Sequence, residues 1–250
     1  MHRYNVLLQS ITAFRESDVQ MNQKMSLLVL ITGILIGLLV IIPGASAVST
    51  VTNVHPYLLF TDITQTPGYQ NQAQTPWKSW ESGIISSADA SLARNFSGNL
   101  GSYNRVNYRA DFARDLGMAY QITKKPTYAE KAREALLNMT VGDVSLKTDK
   151  AMALGSYSLA YDWVQPTLDT STDMIIRDKL ATLADSCYTD LNDNGTTKNY
   201  VTFADYHGQA YPNMGIAAAA LSDYTNPNKI ALSSTPEDWY HVGTDYLFEN

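Results

Sequence analysis

At 250 residues, with 45% hydrophobic and 17% charged, the chain is long enough to bury one sizeable core. A formal charge of −6 and the lack of a basic stripe speak against a nucleic-acid partner, which needs clustered Lys and Arg. Cys187 is the sole cysteine, so an intramolecular disulfide is excluded, and its place on an apolar helical face predicts a buried, inert thiol.

Met1–Met25 is a polar lead, followed by an apolar run of 16 residues from Leu27 to Ile42. That run is short for a membrane span and suits a signal-peptide core. Lys24 supplies the positive flank and Ala45-Ser46-Ala47 the small-x-small cleavage pattern, with Met21 or Met25 a tidier start than Met1. Residues 1–47 are therefore expected to be an extension plus a cleaved signal peptide. The alternative is an uncleaved N-terminal anchor, through which alone the chain would touch a membrane. Either way the remainder is expected to be secreted or at the cell surface. Three of the 18 basic and two of the 24 acidic residues precede Val48, so the exported part carries −7. Asn95-Phe-Ser, Asn138-Met-Thr and Asn194-Gly-Thr are glycosylation sequons, meaningful only in a host that glycosylates.

From His55, HPYLLFTDITQTPGYQ reads as an extended lead-in, which His55 is expected to anchor. Helical periodicity then takes over and never yields to strand alternation. A first helix over Trp77–Phe96 places Trp80, Ile84, Ala88 and Leu92 on one stripe. A second over Asn104–Ile122 repeats Tyr108, Phe112, Leu116 and Tyr120 every four residues. Thr127 and Glu130 predict a capping box for a third helix, with Tyr128, Ala132, Leu136 and Met139 inward. Lys150–Val164 is a fourth, stopped by Pro166. Thr170 and Asp173 are expected to cap a fifth, with Ile176, Leu180, Leu183, Cys187 and Leu191 facing the core. A sixth is expected at Met214–Leu221 and a seventh from Pro236. Short connections favour antiparallel neighbours, as in a bundle, solenoid or α/α toroid. The chain stops at Tyr246-Leu-Phe-Glu-Asn250 inside an amphipathic pattern, so 48–250 is expected to be an incomplete domain of a longer protein.

The stretch FADYHGQAYPNMGIAAAALSDY, Phe203–Tyr224, sets His207 among tyrosines, an aspartate and an asparagine ahead of an alanine-rich segment. A polar cluster running into a buried helix presents side chains at a rim; the plainer reading is a polar loop before a core helix. Sixteen tyrosines suit carbohydrate, because the ring stacks on a sugar face while the hydroxyl bonds its edge, although amphipathic packing accounts for many of them.

HPYLLF, LGMAYQITKKPTYAEKAREALLNM, LAYDWVQPTLDTSTDMIIRDKLATLA and HGQAYPNMGIAAAAL follow in that order. Together they resemble the N-terminal domain of the heparinase II/III-like and alginate-lyase superfamily, over roughly residues 55–223. The resemblance implies an all-α fold, an incomplete (α/α) toroid of antiparallel helix pairs, with C-terminal β-sandwich domains that 250 residues would not reach. It implies β-elimination on a uronic-acid polysaccharide, an anionic partner, and no cofactor. That reaction needs the C5-side carboxylate neutralised to stabilise enolate-like charge, a base for the C5 proton and an acid for the leaving oxygen. In related lyases an Asn-His pair opens an inner helix and a tyrosine follows. His207 matches the histidine, whereas Tyr206 stands where Asn is expected, leaving Asn213 or Gln209 to neutralise the carboxylate. The later tyrosine would fall near Tyr240 or Tyr246, or beyond.

Tyr206, His207 and Asn213 are thus the candidate catalytic residues. Arg105 and Arg109, on one helical face, are candidates for an anionic sugar, with Tyr161, Trp163, Gln209 and Tyr211 as further subsite groups. Each has a plainer alternative in loop bonding, a Tyr-Pro-Asn turn, solvated arginines or helix-end packing. His55 and His241 have no metal-ligand spacing with His207, so no metal is assigned. Two other classes remain. One is a glycoside hydrolase using a pair among Asp111, Asp115, Asp162 and Asp205, and the other a non-catalytic glycan-binding envelope protein.

Overall fold

A computed structural model describes residues 54–66, 68–98, 100, 106–139, 147–192 and 204–248, and within their helices the side chains of all but 106, 107, 147, 148, 192, 204–209 and 245–248. The apolar run before Ile42, the Ala-Ser-Ala pattern, Arg105 and the Asn194 sequon lie outside these residues. The described residues form seven α-helices and no strand: α1 Trp77–Leu92, α2 Val106–Thr123, α3 Pro126–Leu137, α4 Lys147–Val164, α5 Thr170–Asn192, α6 Ala204–Ala220 and α7 Pro236–Phe248. The helix count and type match the periodicity. None of the described helices is long and apolar enough to cross a membrane.

The caps differ from expectation in informative ways. Lys125 precedes α3 without a side-chain cap, and Pro126 opens the helix, its missing N–H being one that needs no partner there. The Thr127/Glu130 capping box is therefore not made. α5 is capped by Asp169, whose carboxylate accepts from the Thr172 N–H at 2.9 Å and the Thr172 hydroxyl at 2.7 Å. Asp173 is released from capping to accept the Tyr161 hydroxyl at 2.8 Å. α7 does carry a reciprocal cap, since Asp238 accepts from the Thr235 N–H and hydroxyl at 2.7 Å and its own N–H reaches Thr235 Oγ1 at 3.3 Å. α6 begins ten residues before Met214 and contains Pro212, so the expected polar loop is helix.

Cross-helix contacts fix the directions. Asp111 meets Ser156 at 3.1 Å, Gly117 packs on Ala160, and the Gln121 amide donates to the Trp163 carbonyl, so α2 and α4 run parallel. Ser87 donates to Asp115 at 2.6 Å, while Arg109 reaches back to the Phe96 carbonyl at 3.1 Å, so α1 and α2 are antiparallel. Asp89 pairs with Tyr128 and the Phe96 N–H with Glu134, so α1 and α3 are parallel. Lys150 reaches Asp190 and Tyr161 reaches Asp173, so α4 and α5 are antiparallel. α2, α4 and α6 pack side by side as one layer, and α1, α3, α5 and α7 lie against it, with the α2–α4 seam the most extensive.

Small residues make that seam. Ala110, Ala113, Leu116 and Ala119 of α2 are fully buried, while Tyr108 is exposed and Phe112 and Tyr120 only partly covered. Of the four-residue repeat Tyr108, Phe112, Leu116 and Tyr120 only Leu116 is buried, and alanines make the rest of the seam, because α4 approaches closely enough that a Cβ on Gly117 would sit 3.3 Å from the Ala160 Cα. The inward faces expected for α3 and α5 are buried as expected.

The lead-in straps the C-terminal end of this layer. Asp162, with no exposed surface, accepts from His55 Nδ1 at 2.7 Å, the Tyr57 N–H at 3.1 Å and the Leu58 N–H at 3.2 Å. The Tyr57 hydroxyl donates to the Ala219 carbonyl of α6 at 2.8 Å, and Phe60 stacks on Trp163 with centroids 5.8 Å apart. His55 anchors the lead-in as the sequence leads one to expect.

Candidate functional site

Asn213 of α6 lies on Gly155 of α4, where a Cβ would overlap its amide, and Ala219 is tied through Tyr57 to Asp162. α6 therefore runs parallel to α4, and the N-terminal ends of α2, α4 and α6 share the rim opposite the strap. His207 stands in the first turn of α6 at that rim, inside the helix rather than ahead of it. The side chains of Tyr206, His207 and Gln209 lie outside the described residues, as does Arg105.

A polar network occupies the partly exposed face of the same layer. Arg114 donates to Asp111 at 2.9 Å and to Asp115 at 3.1 Å, with Arg114 and Asp111 38% and 36% exposed. Ser156 donates to Asp111, and Ser87 of α1 holds the second oxygen of Asp115. One guanidinium thus fixes two carboxylates from a single helix, and two hydroxyls orient them. Beneath them lies Tyr157, fully buried, whose hydroxyl has no hydrogen-bond partner among the described residues. Burial pushes its phenol well above the ordinary tyrosine range, with Arg109 opposing and Asp111 reinforcing that shift.

The remaining candidates have structural work. Arg109 donates to the carbonyls of Phe96, Asn138 and Gly98, the last at 2.8 Å, and so clasps the ends of α1 and α3 to α2. Tyr161 and Trp163 are 1% and 2% exposed, the one bonded to Asp173 and the other stacked under Phe60, so neither ring presents a face to solvent. Tyr211 is likewise buried. Asp162 is spent on the lead-in. His241 is exposed, 3.9 Å from Glu237. No cluster of metal-binding side chains occurs among the described residues.

Sequence reasoning missed two features. Asp111 and Asp115 are joined through Arg114, a link that the i, i+3 and adjacent spacing of the three residues permits. The second is Trp80, which shares a stripe of α1 with the buried Ala88 yet is 56% exposed. No protein-family model matches the chain, and no curated protein matches it.

Proposed function

We propose that this chain is an exported polysaccharide lyase-like protein acting on a uronic-acid polysaccharide, its helix pairs forming part of an (α/α) toroid. The observation that carries the reading is the alternation of layers. α2 and α4 are parallel to each other, each pairs antiparallel with a neighbour of the second layer, and α6 extends the row. A toroid is built by repeating that unit, and such a row gathers the starts of successive inner helices at one rim. His207 belongs to the first turn of α6 at that rim, and Asn213 lies further along the same helix, against Gly155 of α4.

In the proposed reaction His207 takes the C5 proton of the uronate. The C5–H electron pair becomes the C4=C5 double bond, the C4–O bond breaks, and Tyr206 returns a proton to the leaving oxygen. Asn213 donates hydrogen bonds to the substrate carboxylate, holding charge that builds during proton removal. The anionic chain is the partner, and no cofactor is required.

The Asp111–Arg114–Asp115 network favours one second reading, a hydrolase with its two carboxylates on α2. The products separate the two. Incubation with polygalacturonate, alginate and heparan sulfate should give ultraviolet absorbance from an unsaturated uronate at each new end. Reducing ends without that absorbance would replace elimination by hydrolysis, and neither product from any polymer would favour a binding protein.

A further inference from the structure

We propose that the cleft between the lead-in and the α1–α2 pair is a saccharide subsite for an uncharged sugar ring. The cleft has a volume of about 360 Å³, in the range of small-ligand sites. Phe60, Ile63, Trp77, Trp80, Met118 and Ile122 make its walls. It lies at the start of α1 and the end of α2, the rim closed by the strap and opposite the α6 first turn. It is therefore separate from the site proposed for elimination and does not rest on that chemistry.

Two observations point to a sugar. Trp77 and Trp80 meet edge to face, with centroids 4.9 Å apart and planes at 88°, and remain 43% and 56% exposed. Such a pair leaves an open indole face, on which the C–H face of a pyranose stacks. Around it stand polar groups: the Thr66 hydroxyl, buried and with no hydrogen-bond partner among the described residues, and the partly exposed side chains of Tyr69, Gln72 and Glu81. An apolar wall with polar side chains and one unanswered hydroxyl at its edge matches a ligand with C–H faces and hydroxyl edges. A fatty chain would leave the buried Thr66 hydroxyl unanswered, at the cost of an unsatisfied polar atom. Glu81 sets the charge class, because no cation pairs with it among the described residues and a uronate there would meet an uncompensated negative charge.

The experiment is a tryptophan-fluorescence titration of the intact chain with cellohexaose, xylohexaose, mannohexaose and trigalacturonate. Trp163 and Trp239 are buried, so the exposed pair reports the cleft. At least one neutral hexasaccharide should change the emission saturably. Trp80→Ala should weaken that binding about tenfold while Trp80→Phe largely retains it, the loss of one stacked ring being of that size. Helical circular dichroism should be the same in both variants, because more than half of the indole is exposed. The inference is overturned if no neutral oligosaccharide binds, if Trp80→Ala binds as the parent does, or if trigalacturonate alone is the variant-sensitive ligand. The readout is binding, so failure of the lyase reading leaves it standing.

Discussion

Asp162 shows what a single buried carboxylate can hold. Without exposed surface, its oxygens must be answered inside the protein, and they are, by one imidazole and two backbone N–H groups of the lead-in. Asp162→Ala removes the acceptor and strands those donors, so it should lower unfolding free energy by about 3–5 kcal/mol in urea denaturation. A change below about 1 kcal/mol would mean that the strap contributes little. Tyrosines give the second expectation at this scale. The hydrogen bond to Asp89, with burial, pushes Tyr128 up to about 12, and burial first of all raises Tyr157, Tyr161 and Tyr224 as well. A raised folded-state value means that the fold favours the neutral phenol. The stabilisation is thus complete below the unfolded value near 10.0 and is lost as pH rises through 10 towards 12. Denaturation midpoints should fall across that window, and Tyr128→Phe should flatten part of the fall; a midpoint constant to pH 12 would contradict it. His55 was legible because a histidine opening an extended lead-in needs an anchor. Trp80 was not, because periodicity marks which residues share a face but not whether a neighbour covers it.

Glycines govern how closely the helices approach. At the α6–α7 contact a Cβ on Gly243 would lie 2.5 Å from the Gly215 nitrogen and 2.6 Å from its Cα, so backbone meets backbone with no side chain able to give way. Gly243→Ala should cost about 1–3 kcal/mol or more by overpacking. Gly83 in the middle of α1 has nothing within 4 Å of such a Cβ, so Gly83→Ala should stabilise by about 0.5–1 kcal/mol. Opposite shifts in melting temperature check the pair, and shifts of the same sign would refute the packing account. Helix number and most boundaries were legible because apolar spacing survives in the sequence. The α2 seam was not, because an alanine stripe and an aromatic stripe share the same period, and only the partner's distance decides which is inside. The α6 start was missed for a similar reason. Tyr-Pro-Asn reads as a turn, yet Pro212 is accommodated within the helix.

At the scale of the whole molecule, the layered helix pairs and the charge together frame the function. A chain with −7 from Val48 onward attracts a polyanion only where cations concentrate, and Arg109 spends its guanidinium on three carbonyls. If Arg105 and Arg109 nevertheless contribute to uronate binding, affinity should fall steeply between low and high salt, screening acting over about 8 Å at physiological ionic strength. Salt-independent binding would turn the reading towards neutral sugar. Export is checked by N-terminal sequencing of protein from its own host, which should begin at Val48; a start at Met1 or Met25 would contradict cleavage. The layered fold was legible as helix pairs in order, whereas the rim they share appeared only when cross-helix bonds fixed their directions.

The most direct measurement is the rate of double-bond formation by His207→Ala on a uronate polymer, compared with the parent chain. A positioned proton-transfer group typically contributes about 10²–10⁴-fold, so the variant should lose at least the lower figure while keeping the parent's helical spectrum. A variant that eliminates as fast as the parent would contradict the assignment of His207 to proton transfer.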